Sequence, residues 1–305
     1  MITQSDQVLS TIEERILEVL VSRGKTPEVL DYIKLGRGKM LRPLLVVLTV
    51  ELCDGELDSS VVDTAAGVEL VHTASLIHDD VIDDGVTRRG LDTVHRRHGT
   101  SVAVLAGDFL FASAFHLFSK VPNSGVLSIM TSVIQVMCTG EINQLLNPAL
   151  DETNYWTWAY QKTACLLGGC CRLGAIITNQ DRQKGAVLQE FGECIGLAFQ
   201  LTDDVLDYRG HNDKMGKKRG TDFKSRVWTL PTIRAYQQGL IPFTWYDGDF
   251  EVIQNVLEKE GILDEVWGLA EGDVNRAVGI IDQFPNSRAG DDIIDLSRAI
   301  LTREV

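Results

Sequence analysis

His78-Asp79-Asp80-Val81-Ile82-Asp83-Asp84 closes an apolar run, Ala65–Ile77. A run of that length without proline or strand-like alternation predicts a helix. At about 100° per residue, Asp79, Asp80 and Asp83 fall at about 0°, 100° and 40° around it, so three carboxylates share one face. The spacing returns at Asp203-Asp204-Val205-Leu206-Asp207, again after an apolar run, Phe191–Leu201.

Outward from these stretches the pattern stays helical. The prolines are Pro27, Pro43, Pro122, Pro148, Pro231, Pro242 and Pro285, so 44–121 and 149–230 contain none and have room for long helices. Apolar residues recur at helical steps, as in Leu105, Phe109/Leu110 and Ala114, or Val187/Leu188, Phe191, Ile195 and Phe199. The expectation is an all-α protein of about ten or more helices. Loops are expected at Gly36–Lys39, Gly85–Gly99, Pro122–Gly125, Asn147–Asn154, Arg209–Arg226 and Gln238–Gly248. No repeat or low-complexity linker divides the 305 residues, so a single domain over 1–305 is the simplest organisation.

Composition narrows the function. The net charge is −14 and the pI about 4.9. So acidic a surface argues against nucleic acid and against tight docking on anionic lipid. Met1–Ile12 is polar and lacks the basic start and apolar core of a secretory signal. No window reaches the roughly 18 uninterrupted apolar residues of a spanning helix, so no transmembrane segment and a cytoplasmic location are expected. Cys53, Cys138, Cys165, Cys170, Cys171 and Cys194 form no C-x-x-C pair and read as small buried thiols.

Clustered carboxylates repel one another and lose hydration if buried, so a cation should offset them. Magnesium fits, because it takes oxygen ligands, uses one or two carboxylates per ion and completes its shell with water or phosphate. The other explanation is a solvated acidic face, and two copies, each continuing an apolar helix, weigh against it. Calcium loops need alternating ligands and a central glycine, which this helical pattern lacks. Basic residues gather near glycines: Lys39 and Arg42, Arg88 and Arg89, Lys162 beside Thr163, and Lys214, Lys217, Lys218 and Arg219. Such clusters suit phosphate. Two diphosphates are implied, one held through metal and one by cations directly. No P-loop, G-x-S-x-G elbow or G-x-G-x-x-G fingerprint is present.

In order along the chain, the motifs are Gly38–Pro43, Glu69–Asp80, Arg88-Arg89-Gly90, Gly107-Asp108, Gly140-Glu141 with Gln144, Lys162-Thr163, Phe199–Asp207 and Thr229-Leu230-Pro231. The chain resembles the trans-polyprenyl diphosphate synthases (isoprenyl diphosphate synthases) from about Gly36 to Pro231. The resemblance implies the isoprenoid synthase fold, a helical bundle around a central cavity, and head-to-tail condensation of isopentenyl diphosphate onto an allylic diphosphate. It implies that Asp79, Asp80, Asp83, Asp203, Asp204 and Asp207 bind Mg2+. It assigns Lys39, Arg42, His72 and Arg89 to isopentenyl diphosphate, and Arg88, Lys162 and Lys217 to the allylic diphosphate. Lys162, Thr163, Gln200 and Lys217 form the implied catalytic set, with Thr163 and Gln200 beside the developing carbocation. A homodimer is also implied.

Three positions depart from the family pattern. Arg37 replaces a usual glycine, Lys218 stands where proline is common, and Val227 takes the place of a basic residue before Thr-Leu-Pro, with Arg226 one position earlier as a possible substitute. Ala74 and Ser75, just before Asp79, are small where aromatic side chains would stop growth early. They imply a medium- or long-chain product, unless a large residue such as Phe109 or Phe111 closes the tunnel lower down. The alternatives are a short-chain farnesyl or geranylgeranyl diphosphate synthase, a terpene cyclase or head-to-head condensing enzyme, and a non-catalytic partner subunit.

Overall fold

The computed structural model describes residues 4–21, 40–88, 90–146, 151–209 and 219–302. The helices run α1 Gln4–Val21, α2 Leu41–Leu52, α3 Ser59–Ile82, α4 Val94–His98, α5 Thr100–Lys120, α6 Gly125–Leu146 and α7 Glu152–Ala159. A π-helical turn spans Tyr160–Ala164. Then come α8 Cys165–Ile177, α9 Arg182–Arg209, α10 Thr221–Lys224, α11 Leu230–Gln237, α12 Phe250–Lys259, α13 Ile262–Ile281 and α14 Arg288–Ala299. The all-α expectation holds, but three of the expected loops carry short elements among the described residues: α10 lies within Arg209–Arg226, and a 3-10 turn, Trp245–Asp247, within Gln238–Gly248. The stretch expected as a loop at Gly85–Gly99 carries a hairpin, β1 Thr87–Arg88 against β2 Leu91–Asp92, and the short α4.

The contacts group into two compact units, residues 1–130 with 170–186 and residues 131–169 with 187–305. Neither is a contiguous stretch of chain.

In the first unit α3 is the central element. Asp58 caps it, accepting from the Ser60 and Val61 N–H groups at 2.8 and 3.1 Å. Every residue from Thr64 to Val71 is buried, so this helix has no polar face along its middle and is packed on all sides. Helix α5 runs along it. A Cβ at Gly107 would stand 2.1 Å from the His78 Nε2, so glycine leaves room for that ring between the two helices. Arg15 ties α1 to α3 through Asp63 at 2.6 Å.

In the second unit α11 begins with a capping box formed by Thr229 and Thr232, with Pro231 in its first turn, as the Thr-Leu-Pro sequence suits. Arg234 joins this helix to α7 through Glu152 at 3.1 Å, and Arg209 joins α9 to Glu258 and Asp264 at 3.0 and 2.7 Å.

One expectation needs correction. Cys138 is exposed, while the other cysteines are buried. Burial pushes the Cys171 thiol well above its ordinary range, which leaves it inert. Helices α5 and α6 have the length and mean apolarity of a membrane span, a test that the core helix of a soluble protein also passes.

Candidate active site

In the first unit the acidic motif sits at the C-terminal end of α3. That end already carries the partial negative charge of unpaired carbonyls, so carboxylates there are disfavoured unless a cation answers them. Asp83 is the cap residue and exposed, and Asp79 is half-buried. Asp84 adopts a left-handed conformation, and the Gly85 N–H returns to the Asp80 carbonyl at 2.9 Å, which ends the helix sharply. The adjoining loop is pinned where the Thr93 hydroxyl donates to the Gly85 carbonyl at 2.7 Å. That places Arg88 against Asp80, with Nε 2.9 and 3.0 Å from the two carboxylate oxygens and Nη2 at 2.7 Å. Asp80, expected to face metal, is thus buried and gripped by arginine.

His72, Ala74 and Ser75 lie on α3 as expected. Ala74 is fully buried, and the Ser75 hydroxyl donates to the His72 carbonyl at 2.9 Å. The two phenylalanines considered for a tunnel floor part company. Phe111 is stacked on Phe115 and lies 5.8 Å from the His78 ring. Phe109 instead lines a separate cavity of about 560 Å³ with Arg15, Val19, His116 and Lys120. Arg42 is half-buried at the start of α2. Lys39, Arg89 and Lys217 lie outside the described residues.

In the second unit Lys162 and Thr163 sit within the π turn, where an extra residue re-aims side chains. Glycines on two helices let this bulge pack. A Cβ at Gly140 of α6 would stand 2.5 Å from the Gln161 Cβ, and one at Gly196 of α9 only 2.4 Å from the Ala164 Cα. The α6 motif acquires roles here. Glu141 lies 3.6 Å from the Lys162 ammonium, and Gln144 accepts from the Trp158 indole N–H. The ammonium also stands 5.5 Å over the Trp158 ring.

Thr163 donates to the Gln200 Oε1 at 2.8 Å, and the Gln200 Nε2 donates to Asp204 at 2.9 Å. The other Asp204 oxygen accepts from the Tyr155 hydroxyl at 2.7 Å. The Leu230 backbone N–H, at the start of α11, also donates to Asp204. Burial, helped by the Asp203 charge, raises the Asp204 pKa to about 7 against the opposing pull of these three donors. Tyr155 is fully buried and belongs to no motif read from the sequence, because a tyrosine beside Trp156 and Trp158 reads as core.

Asp207 accepts from the Thr221 and Asp222 N–H groups at 3.0 and 3.1 Å, capping α10. Asp203 is half-buried on the same helix as Asp207. Arg226, the candidate substitute for a cation at Val227, has φ 57° and turns to its own neighbours, 4.9 Å over Tyr246 and 3.5 Å from Asp247.

Among the described residues no three His, Cys, Asp or Glu side chains form a ready-made metal cage. Magnesium does not require one, since water and phosphate complete its shell. The hard oxygen donors at the negative end of α3 fit that ion.

The chain is similar to proteins of one family. The polyprenyl synthetase family model matches residues 25–242. The octaprenyl diphosphate synthase of Haemophilus influenzae is 35% identical over 279 residues, covering 87% of this chain and 84% of that protein. The crystal structure of a polyprenyl synthase from Caulobacter crescentus, complexed with calcium and isoprenyl diphosphate, superposes with a TM-score of 0.92 at 29% identity, covering 99% of this chain and 96% of that one. A decaprenyl diphosphate synthase from Rhodobacter capsulatus gives 0.89 at 30% identity, covering 98% and 97%.

Proposed function

The chain belongs to the polyprenyl synthetase family, and on that premise we propose that it condenses isopentenyl diphosphate head-to-tail with an allylic diphosphate, using magnesium, to give a medium- or long-chain polyprenyl diphosphate. It is a prenyl-transferring enzyme. The observation that carries the reading is the acidic end of α3, with Asp79 and Asp83 beside an Asp80 already answered by Arg88. Octaprenyl and decaprenyl synthases among the relatives support the longer product, as do the small residues Ala74 and Ser75.

Asp79, Asp83, Asp203 and Asp207 are the carboxylates we assign to magnesium. When bound, the ion supplies positive charge to the departing diphosphate. Asp80 and Asp204, the middle members of the two motifs, are buried as well as engaged by protein donors, whereas Asp207, which accepts two backbone N–H groups, stays partly exposed. Lys162, with Arg88 and Lys217, would steady the allylic diphosphate as its C–O bond breaks and the electron pair leaves with oxygen. Thr163 and Gln200 offer oxygen atoms to the allylic cation. Lys39, Arg42, His72 and Arg89 would hold isopentenyl diphosphate while its double bond attacks that cation. The proton then lost from the adjoining carbon goes to the released diphosphate, so no dedicated base is needed. Water must be kept away from the cation, or an alcohol forms.

We read the chain as one domain acting as a homodimer in the cytoplasm. Val102, Val104 and Leu105, exposed at the start of α5, suit a second copy. A shorter product has one observation in its favour, the Phe111–Phe115 pair beside His78. The test is incorporation of labelled isopentenyl diphosphate into farnesyl diphosphate. Label should enter the organic phase with magnesium and stay in water after chelation. No incorporation with any allylic primer would leave the partner-subunit reading.

A further inference from the structure

Asp204 was expected to bind metal, yet it is 1% exposed and both of its oxygens already accept hydrogen bonds. A carboxylate surrounded by a hydroxyl, an amide NH2 and a backbone N–H has three of its about four acceptor sites used by the protein, and at 1% exposure the last is shut off from solvent. To reach a metal it would have to give up one of those donors inside a buried site, where an unmade hydrogen bond is costly.

The consequence lies at Gln200. In its ionised form Asp204 only accepts, so the end of the Gln200 amide that meets it is then the NH2. The amide oxygen therefore faces Thr163 and takes the Thr163 hydroxyl proton. With that proton engaged, Thr163 has only oxygen lone pairs left to offer, and the end of Gln200 beside it is the carbonyl oxygen, with the NH2 turned to Asp204. Lone pairs suit a carbocation. A free O–H or NH2 would oppose it with the wrong end of a dipole.

We propose that Tyr155 is a positioning residue for the reaction: by holding Asp204 through a buried hydrogen bond, it fixes the Gln200 amide with its oxygen toward Thr163, and Asp204 serves as the anchor of this chain and not as a magnesium ligand. The inference rests on the reaction proposed above. It assigns Tyr155 a role without contact to substrate, and it separates Asp204 from Asp203.

The test compares two probes by calorimetry on the full chain in magnesium buffer. One is an unreactive allylic thiolodiphosphate with a neutral tail. The other carries an ammonium nitrogen where the allylic charge develops. Wild type should prefer the ammonium probe. Tyr155→Phe, which removes only the hydroxyl, should lower that preference by about tenfold while binding the neutral probe as before. Asp204→Asn permits the amide to turn over, and should lose the preference with the magnesium midpoint for probe binding unchanged. This second variant carries the test if Tyr155→Phe does not fold. An undiminished preference in a folded variant, or a magnesium midpoint shifted by Asp204→Asn, overturns the inference and leaves the proposed reaction standing. Failure of wild type to bind either probe removes both.

Discussion

A Cβ placed on Gly196 would lie 2.4 Å from the Ala164 Cα, and a main-chain atom cannot swing aside as a side-chain tip does. Gly196→Ala should therefore destabilise the protein by about 1–3 kcal/mol, read as a lower urea midpoint with unchanged slope. Lys162 makes a different kind of prediction. Its neighbours Glu141 and Trp158 hold its ammonium in place without neutralising its role toward phosphate. Lys162→Met should lower kcat/KM by about 10²–10³-fold, the scale of losing one preorganised electrostatic group, with little change in melting temperature. At this scale the sequence was legible wherever spacing encodes a face. Helical periodicity marks the shared face of Asp79 and Asp83, while the roles proposed for Lys162, Thr163 and Gln200 rest on the family resemblance. Tyr155 could not be read, since its partner Asp204 is 49 residues away. The pairing of Asp80 with Arg88 was equally hidden, although each belongs to a motif legible in the sequence, because it depends on how the hairpin folds back.

The element whose form departs most from a sequence reading is the run from α7 into α8. The absence of proline from 149–230 leaves room for an unbroken helix there, and the π turn at Tyr160–Ala164 interrupts it. A π turn is one residue of extra winding that its surroundings hold in place, here the glycines of α6 and α9. Deleting Gln161 should restore ordinary winding and turn Lys162 by about 100° relative to α7. The expected result is unchanged helix content by circular dichroism with condensation abolished. Retained activity would show that the bulge has no part in aiming Lys162 and Thr163. The pair α3 and α5 carries the length prediction. Ser75→Phe adds bulk one turn before the acidic end of α3 and should shorten the product, as judged by chromatography of the dephosphorylated prenols. Phe111→Ala should lengthen it if that ring, 5.8 Å from His78, forms part of the floor.

For the molecule as a whole, the acidic balance and the helical pattern excluded most classes before any motif was read. A net charge of −14 leaves little attraction for polyanions, so the phosphate-binding cations must be local and placed. Proline-poor stretches foretold the long helices α3, α5 and α9, which carry most of the described motif residues. The grouping of contacts into two interleaved units was not legible, because it arises from packing among helices distant in sequence and not from any boundary signal. The central claim is that these parts together lengthen a prenyl chain with magnesium. It is tested most directly by incubating the purified chain with labelled isopentenyl diphosphate and farnesyl diphosphate, with and without magnesium, and resolving the products by length. The account predicts a magnesium-dependent ladder ending at a medium or long polyprenyl diphosphate. Extension by a single unit would contradict the long-product claim, and no extension with any allylic primer would contradict the reaction itself.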